Sequence, residues 1–176
     1  MGKADPVVVV SGLPRSGTSM VMQMLDAGGM TCATDGERTA DQDNPKGYFE
    51  VERVKRLADT GEDKSWVAAH QGQVLKVISF LLRHLPTQQH YQVLFVHRNL
   101  DEVLASQRKM LVHRGEDANA TDDETMAQSF TSHLRDIEAY VASSPSFEAL
   151  YFDHSEVLSE PAGVAARINE FLGGQL

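Results

Sequence analysis

The chain is predicted to fold as an α/β domain, three layers deep (α/β/α), around a central parallel sheet of about four to five strands. Three observations carry that expectation. Val7–Val10 is an unbroken run of β-branched residues, the pattern of a strand buried on both faces. Similar apolar runs alternate along the chain with stretches of helical periodicity, as βα units with right-handed crossovers require. A glycine-bounded loop, Gly12 to Gly17, joins the first strand to the first helix. In such sheets ligands sit beyond the carboxyl ends of the strands, so this loop stands where a site is expected.

Each element follows from local pattern. Thr18–Ala27 carries apolar residues at helical spacing, and Gly28-Gly29 ends it. Asp35 to Gly47 is rich in Asp, Asn, Pro and Gly, too polar for core and long enough for a functional loop. Phe49–Leu57 reads as a helix and Gln73–Ile78 as the second strand. Tyr91–Val96 is the third strand, and Asn99 with Glu102 three residues on opens the helix after it. Beyond an acidic loop, Thr121 to Glu124 forms a capping box for a long helix ending near Ala142. Phe147–Phe152 is the fourth strand, and Pro161 starts a last helix that Gly173-Gly174 closes.

Bulk properties narrow the function. A length of 176 residues, 41% hydrophobic and 23% charged, suits a single globular domain spanning 1–176. The net charge of −9 argues against non-specific binding to nucleic acid or anionic lipid, so no nucleic-acid or membrane partner is expected. Cys32 is the lone cysteine, which excludes an intrachain disulfide and points to a reducing, cytoplasmic setting. Four apolar residues after Pro6 are too few for a signal peptide or membrane span, and Pro6 stands where myristoylation at Gly2 would need Ser or Thr. No spacing of His or Cys suggests a metal. His70, His84, His90 and His113 read as surface or packing residues.

Two motifs carry chemistry. In Gly12-Leu-Pro14-Arg15-Ser16-Gly17-Thr18-Ser19 the glycines let backbone N–H groups turn around an anion, and the helix adds its positive end. Ser16, Thr18 and Ser19 add hydroxyl donors, and Arg15 offers a fork for phosphate or sulfonate oxygens. The spacing is that of a phosphate-binding P-loop, yet Thr18 occupies the place of its lysine, the residue that serves a β/γ-phosphate pair. The second motif is Arg98 at the end of the third strand with Ser106 two helical turns further on. Together they can converge on a second phosphate.

Taken together, these motifs resemble the sulfotransferases that use 3′-phosphoadenosine 5′-phosphosulfate (PAPS). Pro14-Arg15-Ser16-Gly17-Thr18-Ser19 fits their P-[KR]-[ST]-G-T-[ST] loop, and Arg98 with Ser106 fits their strand-terminal Arg with Ser eight residues later. Tyr151-Phe-Asp-His-Ser-Glu-Val-Leu-Ser-Glu-Pro161, and the ending Phe171-Leu-Gly173, resemble the family's Y-x-D-L…P…FLG stretch. The likeness is greatest to small bacterial members, in which loops like Asp43 to Glu50 recur. It implies a P-loop-NTPase-like fold and PAPS as donor, with no metal. The loop from Arg15 to Ser19 would grip the 5′-phosphosulfate, with Gly12 and Pro14 in the same nucleotide site, while Arg98 and Ser106 would grip the 3′-phosphate. Arg15 would stabilise the leaving oxygen, and Lys76 matches a family lysine that points at the transferring group. The acceptor is a hydroxyl or amine on a small molecule or carbohydrate that neither motif specifies, and oligomeric state is equally silent.

The general base is open. Ile78 stands where the cytosolic small-molecule members carry a histidine. Asp35-Gly-Glu37-Arg resembles a stretch in which protein-tyrosine members use a glutamate, so Glu37 is the first choice and Glu50 the second. Met20 replaces a common aromatic residue, and the sequence shows no counterpart of the C-terminal R-K-G-x-x-G loop, so either the site closes differently or this lid is lacking. Two other readings compete. One is a nucleotide kinase or NTPase, with Ala149–Asp153 as its Mg²⁺-holding strand. The other is a non-catalytic nucleotide-binding member.

Overall fold

The computed structural model describes residues 5–37, 49–117 and 122–176. Gly2, most of the polar loop 35–47 and the capping residue Thr121 lie outside them. Four strands form one parallel sheet in the order β2-β1-β3-β4: β1 Val7–Gly12, β2 Val74–Lys76, β3 Tyr91–His97 and β4 Phe147–Asp153. Val9 lies level with Leu75 on one side and Val93 on the other, and Val93 with Ala149. From β1 the chain moves to the β2 edge, then returns across β1 to build β3 and β4. The crossovers therefore part between β1 and β3, and the loops after these two strands diverge to leave a crevice at their carboxyl ends.

Period-two alternation sends β1 side chains to opposite layers. Val8 and Val10 face Val21, Met22 and Leu25 of α1 (Thr18–Ala27), together with Val164 and Ile168 of the last helix. Val7 and Val9 join Phe95, Ile137 and Val141 in the other layer. All four valines are at most 1% exposed, as a strand covered on both faces demands. α2 (Leu100–His113) starts where expected, with the Asn99 side chain accepting from the N–H of Asp101 at 2.9 Å and of Glu102 at 3.4 Å. Leu13, Val103, Leu104 and Phe130 form a smaller apolar cluster that ties the glycine-bounded loop to α2 and to α3 (Asp123–Ser143).

Local readings depart from the structure at four places. The stretch 49–57 is no α-helix but a 3₁₀ turn, Glu52–Arg56. Its apolar residues Val51, Val54 and Leu57 recur every three residues, which lines up one face of a 3₁₀ turn. The second strand is only Val74–Lys76: Gln73 N–H closes onto His70 O at 3.0 Å, and the chain turns off beyond Val77 into a 3₁₀ turn, Ser79–His84. Asp122 caps α3 by accepting from Thr125 N–H at 2.9 Å. A six-residue helix, α4 (His154–Ser159), precedes α5 (Pro161–Phe171). Glu156 of α4 folds back to accept the Asp153 N–H at 2.9 Å. No periodic pattern announces so short a helix. Among the described residues no helix is long and apolar enough to cross a membrane.

Candidate functional site

The loop after β1 turns through backbone conformations that few residues tolerate. Gly12 has φ +151°, and a Cβ there would stand 2.5 Å from Ser16 Oγ and 2.6 Å from Val96 O. Glycine is therefore required at this position for room as well as for φ. Gly17, at φ +105°, is the N-cap of α1, and no side chain caps this helix end. Its positive pole and N–H groups face the loop. Ser16 Oγ is buried and has no hydrogen-bond partner among the described residues. A buried orphan hydroxyl costs on the order of 1–3 kcal/mol unless something bonds it.

Arg15 is the one non-glycine at positive φ (+67°) among the described residues. Such a conformation costs about 1–3 kcal/mol and persists where its surroundings impose it. Arg98 and Ser106 help hold it. Arg98 Nη1 donates to the Arg15 carbonyl at 3.0 Å, and Arg15 Nε donates to Ser106 Oγ at 3.0 Å. The second motif thus closes on the first, with Arg98 leaving β3 to brace the loop's backbone and Ser106 on α2 aiming its guanidinium. Arg98 Nε also donates to Glu102 at 2.8 Å, and this bond, more than any other influence, holds the Glu102 carboxyl below its ordinary value.

Lys76, the last residue of β2, donates through Nζ to Ser19 Oγ at 3.0 Å and to Glu50 Oε1 at 2.9 Å. Both side chains of this ion pair are largely covered, 11% and 16% exposed. The ammonium missing at Thr18 therefore reaches the loop from a different strand. Glu37 stands on the exposed stretch following Ala33, where its N–H donates to Asp35 Oδ1 at 3.1 Å. The structure brings Glu50, and not Glu37, to Lys76. Pro14 and Arg15 also border a pocket of about 240 Å³ with Glu50 and Lys76 in its wall.

The structure adds His154, which no sequence motif singles out. A Cβ on Gly17 would meet its ring at 2.6 Å, so the imidazole lies flush against the loop. Burial lowers its pKa, Arg98 lowers it further, and Glu102 opposes both. A signal did exist: His154 directly follows the carboxyl end of β4, as Arg98 follows β3 and the loop follows β1.

The family model described as the sulfotransferase domain matches residues 5–176. The chain belongs to the sulfotransferase family. A sulfotransferase from Alicyclobacillus acidocaldarius has a similar structure, with TM-score 0.55 and 14% identity over 97% of this chain and 82% of that one. Retinol dehydratase in complex with androsterone and the inactive cofactor PAP (3′-phosphoadenosine 5′-phosphate) gives TM-score 0.50 and 13% identity. Its complex with retinol and PAP gives 0.50 and 15%. This chain, 99% covered in both comparisons, spans 62% of the retinol dehydratase chain, and at such identities the likeness is one of fold. No curated protein sequence matches the chain.

The residues of this member of the family suit an anionic ligand. A loop with space for no added Cβ, an uncapped helix start, an orphan buried hydroxyl and two arginines together form a donor-rich cradle. Among the described residues no group of three or more His, Cys, Asp or Glu side chains could hold a metal ion.

Proposed function

We propose that the chain transfers a sulfonyl group from PAPS to a hydroxyl or amine of a small-molecule acceptor, acting as a single cytoplasmic domain. The observation that carries this reading is the pair of bonds joining Arg15 to Arg98 and Ser106. They link two anion-binding corners through one residue, the arrangement a donor with separated phosphates needs. Gly12 to Ser19 hold the 5′-phosphosulfate, and Arg98 with Ser106 hold the 3′-phosphate. The fold also supports the reading, since retinol dehydratase carries PAP on a similar scaffold.

The acceptor oxygen attacks sulfur in line, the bond from sulfur to the bridging phosphate oxygen breaks, and PAP leaves. Arg15 balances charge growing on that oxygen, and Lys76 steadies the transferring group. Glu50 takes the acceptor proton: once Lys76 turns to the donor, its carboxylate is released beside the acceptor pocket. Glu37 is the alternative base.

The kinase reading lacks the ammonium it needs at Thr18. Calorimetry tests the choice. PAP is expected to bind more tightly than ATP with Mg²⁺, and the opposite order would overturn the proposal. Arg98→Ala is expected to weaken PAP at least tenfold and adenosine 5′-phosphate, which lacks the 3′-phosphate, by a smaller factor that reports on the lost brace to the Arg15 carbonyl. Equal losses for both would remove Arg98 from its assigned role.

A further inference from the structure

The pocket beside Lys76 changes character with depth. At its floor the reactive groups are covered, with Lys76 11% and Glu50 16% exposed. Its walls are apolar, built by Val54, Ile78, Leu81 and Met110. At its rim stand two exposed cations, Lys55 on the 3₁₀ turn and Arg114 at the end of α2. Among the described residues the ionisable lining is thus Arg15, Lys55, Lys76 and Arg114 against Glu50, in a chain of net charge −9. Arg15 is engaged by Ser106, Lys76 by Glu50 and Lys55 by Glu52. The Arg114 guanidinium makes no ion pair or hydrogen bond among the described residues, although its backbone N–H caps α2. A cation at a helix C-terminus is favourable anywhere on that turn, but nothing in the dipole requires it to face the pocket.

We infer that the acceptor is a compact apolar alcohol or phenol carrying an anionic group at the end away from its reacting hydroxyl, with Arg114 as the residue that selects it. This rests on the sulfonyl-transfer reading of the same site. A volume of about 240 Å³ lies below the roughly 300–1,000 Å³ of typical drug-sized pockets, which favours a small body. The apolar walls disfavour a sugar, whose ring hydroxyls would lose water without gaining partners. The hydroxyl enters first, toward Glu50 and Lys76, and the anion stays at the wet rim, where pairing with a guanidinium does not require burying charge.

The test uses a matched pair, 4-hydroxyphenylacetate and its neutral amide, titrated calorimetrically into the protein already saturated with PAP. The acid is expected to bind about fivefold more tightly than the amide or better, and to show the higher kcat/KM with PAPS. Arg114→Ala should bring the binding ratio toward one, and Arg114→Glu should reverse it. An amide that binds as well as the acid, or a preference that survives Arg114→Glu, overturns the inference. A protein that binds PAP and sulfonates the amide but not the acid also overturns it, and leaves the donor reading intact. Failure to bind PAP at all would instead bring down the donor reading, and this inference with it.

Discussion

The cradle proposed for the donor and the pocket proposed for the acceptor meet at the hydrogen bond between Ser19 and Lys76, 3.0 Å long, yet they are built of different materials. The cradle is mostly backbone: eight consecutive residues from Gly12 to Ser19, two of them glycines at positive φ, with an uncapped helix end behind them. The pocket is lined by residues from separate parts of the chain: the loop, the 3₁₀ turns Glu52–Arg56 and Ser79–His84 with residues just before them, β2 and the end of α2. Backbone geometry tolerates few sequences, whereas a side-chain wall can be rebuilt one residue at a time. A single scaffold of this kind can therefore keep one donor while its acceptor changes.

The sharpest way to break that contrast is at the boundary. Glu50→Gln is expected to lower kcat by about 10²–10⁴-fold while PAP affinity stays within twofold, read by single-turnover kinetics and calorimetry. Glu37→Gln is the companion variant, expected to leave kcat nearly unchanged. If the two results exchanged places, Glu37 would be the base. Gly12→Ala attacks the cradle itself. Its Cβ would meet Val96 O at 2.6 Å, a backbone atom that cannot swing aside. A stability loss on the order of 3 kcal/mol and the loss of PAP binding are expected from denaturant unfolding and calorimetry. A variant that folded normally and bound PAP would show the loop to be more forgiving than its geometry implies.

The smallest expected effect comes from pH, because each half carries one histidine of lowered pKa. His154 lies against the cradle. His133, whose Nε2 stands 2.9 Å from Ser79 Oγ, lies behind the acceptor half and stacks on Phe80 at 3.8 Å. Burial is the first cause in both; beside it Arg98 depresses His154, opposed by Glu102, and Arg83 depresses His133, opposed by Asp136. The unfolded chain therefore takes up protons first as pH falls through the ordinary histidine value of about 6.5. Stability is fully present above that value and declines below it, down to the lowered folded-state values. Melting at pH 7.5 and 5.5 should show a drop of a few degrees that shrinks in His154→Gln and in His133→Gln. An unchanged drop in both variants would assign it to other groups.

Much of the donor half was legible in the sequence because its information is local. Four valines in a row, two glycines five apart and Asn99 before its helix each act on the residues beside them, and β1, α1 and the start of α2 follow from them. Local pattern misled at 49–57, where a three-residue apolar spacing makes a 3₁₀ turn, and it offered nothing for α4. The rest of the site depended on contacts between residues far apart in the chain. Glu50 and Lys76 are 26 positions apart, and Arg15 and Ser106 are 91. Sequence spacing cannot say which of two glutamates meets a lysine, nor that His154 rests against Gly17. Strand order decided where the cations meet: β2 and β3 flank β1, so Lys76 and Arg98, at and just past their carboxyl ends, both reach the loop after β1. The sequence by itself determined a cradle for an anion; only the packed sheet decided which side chains surround it.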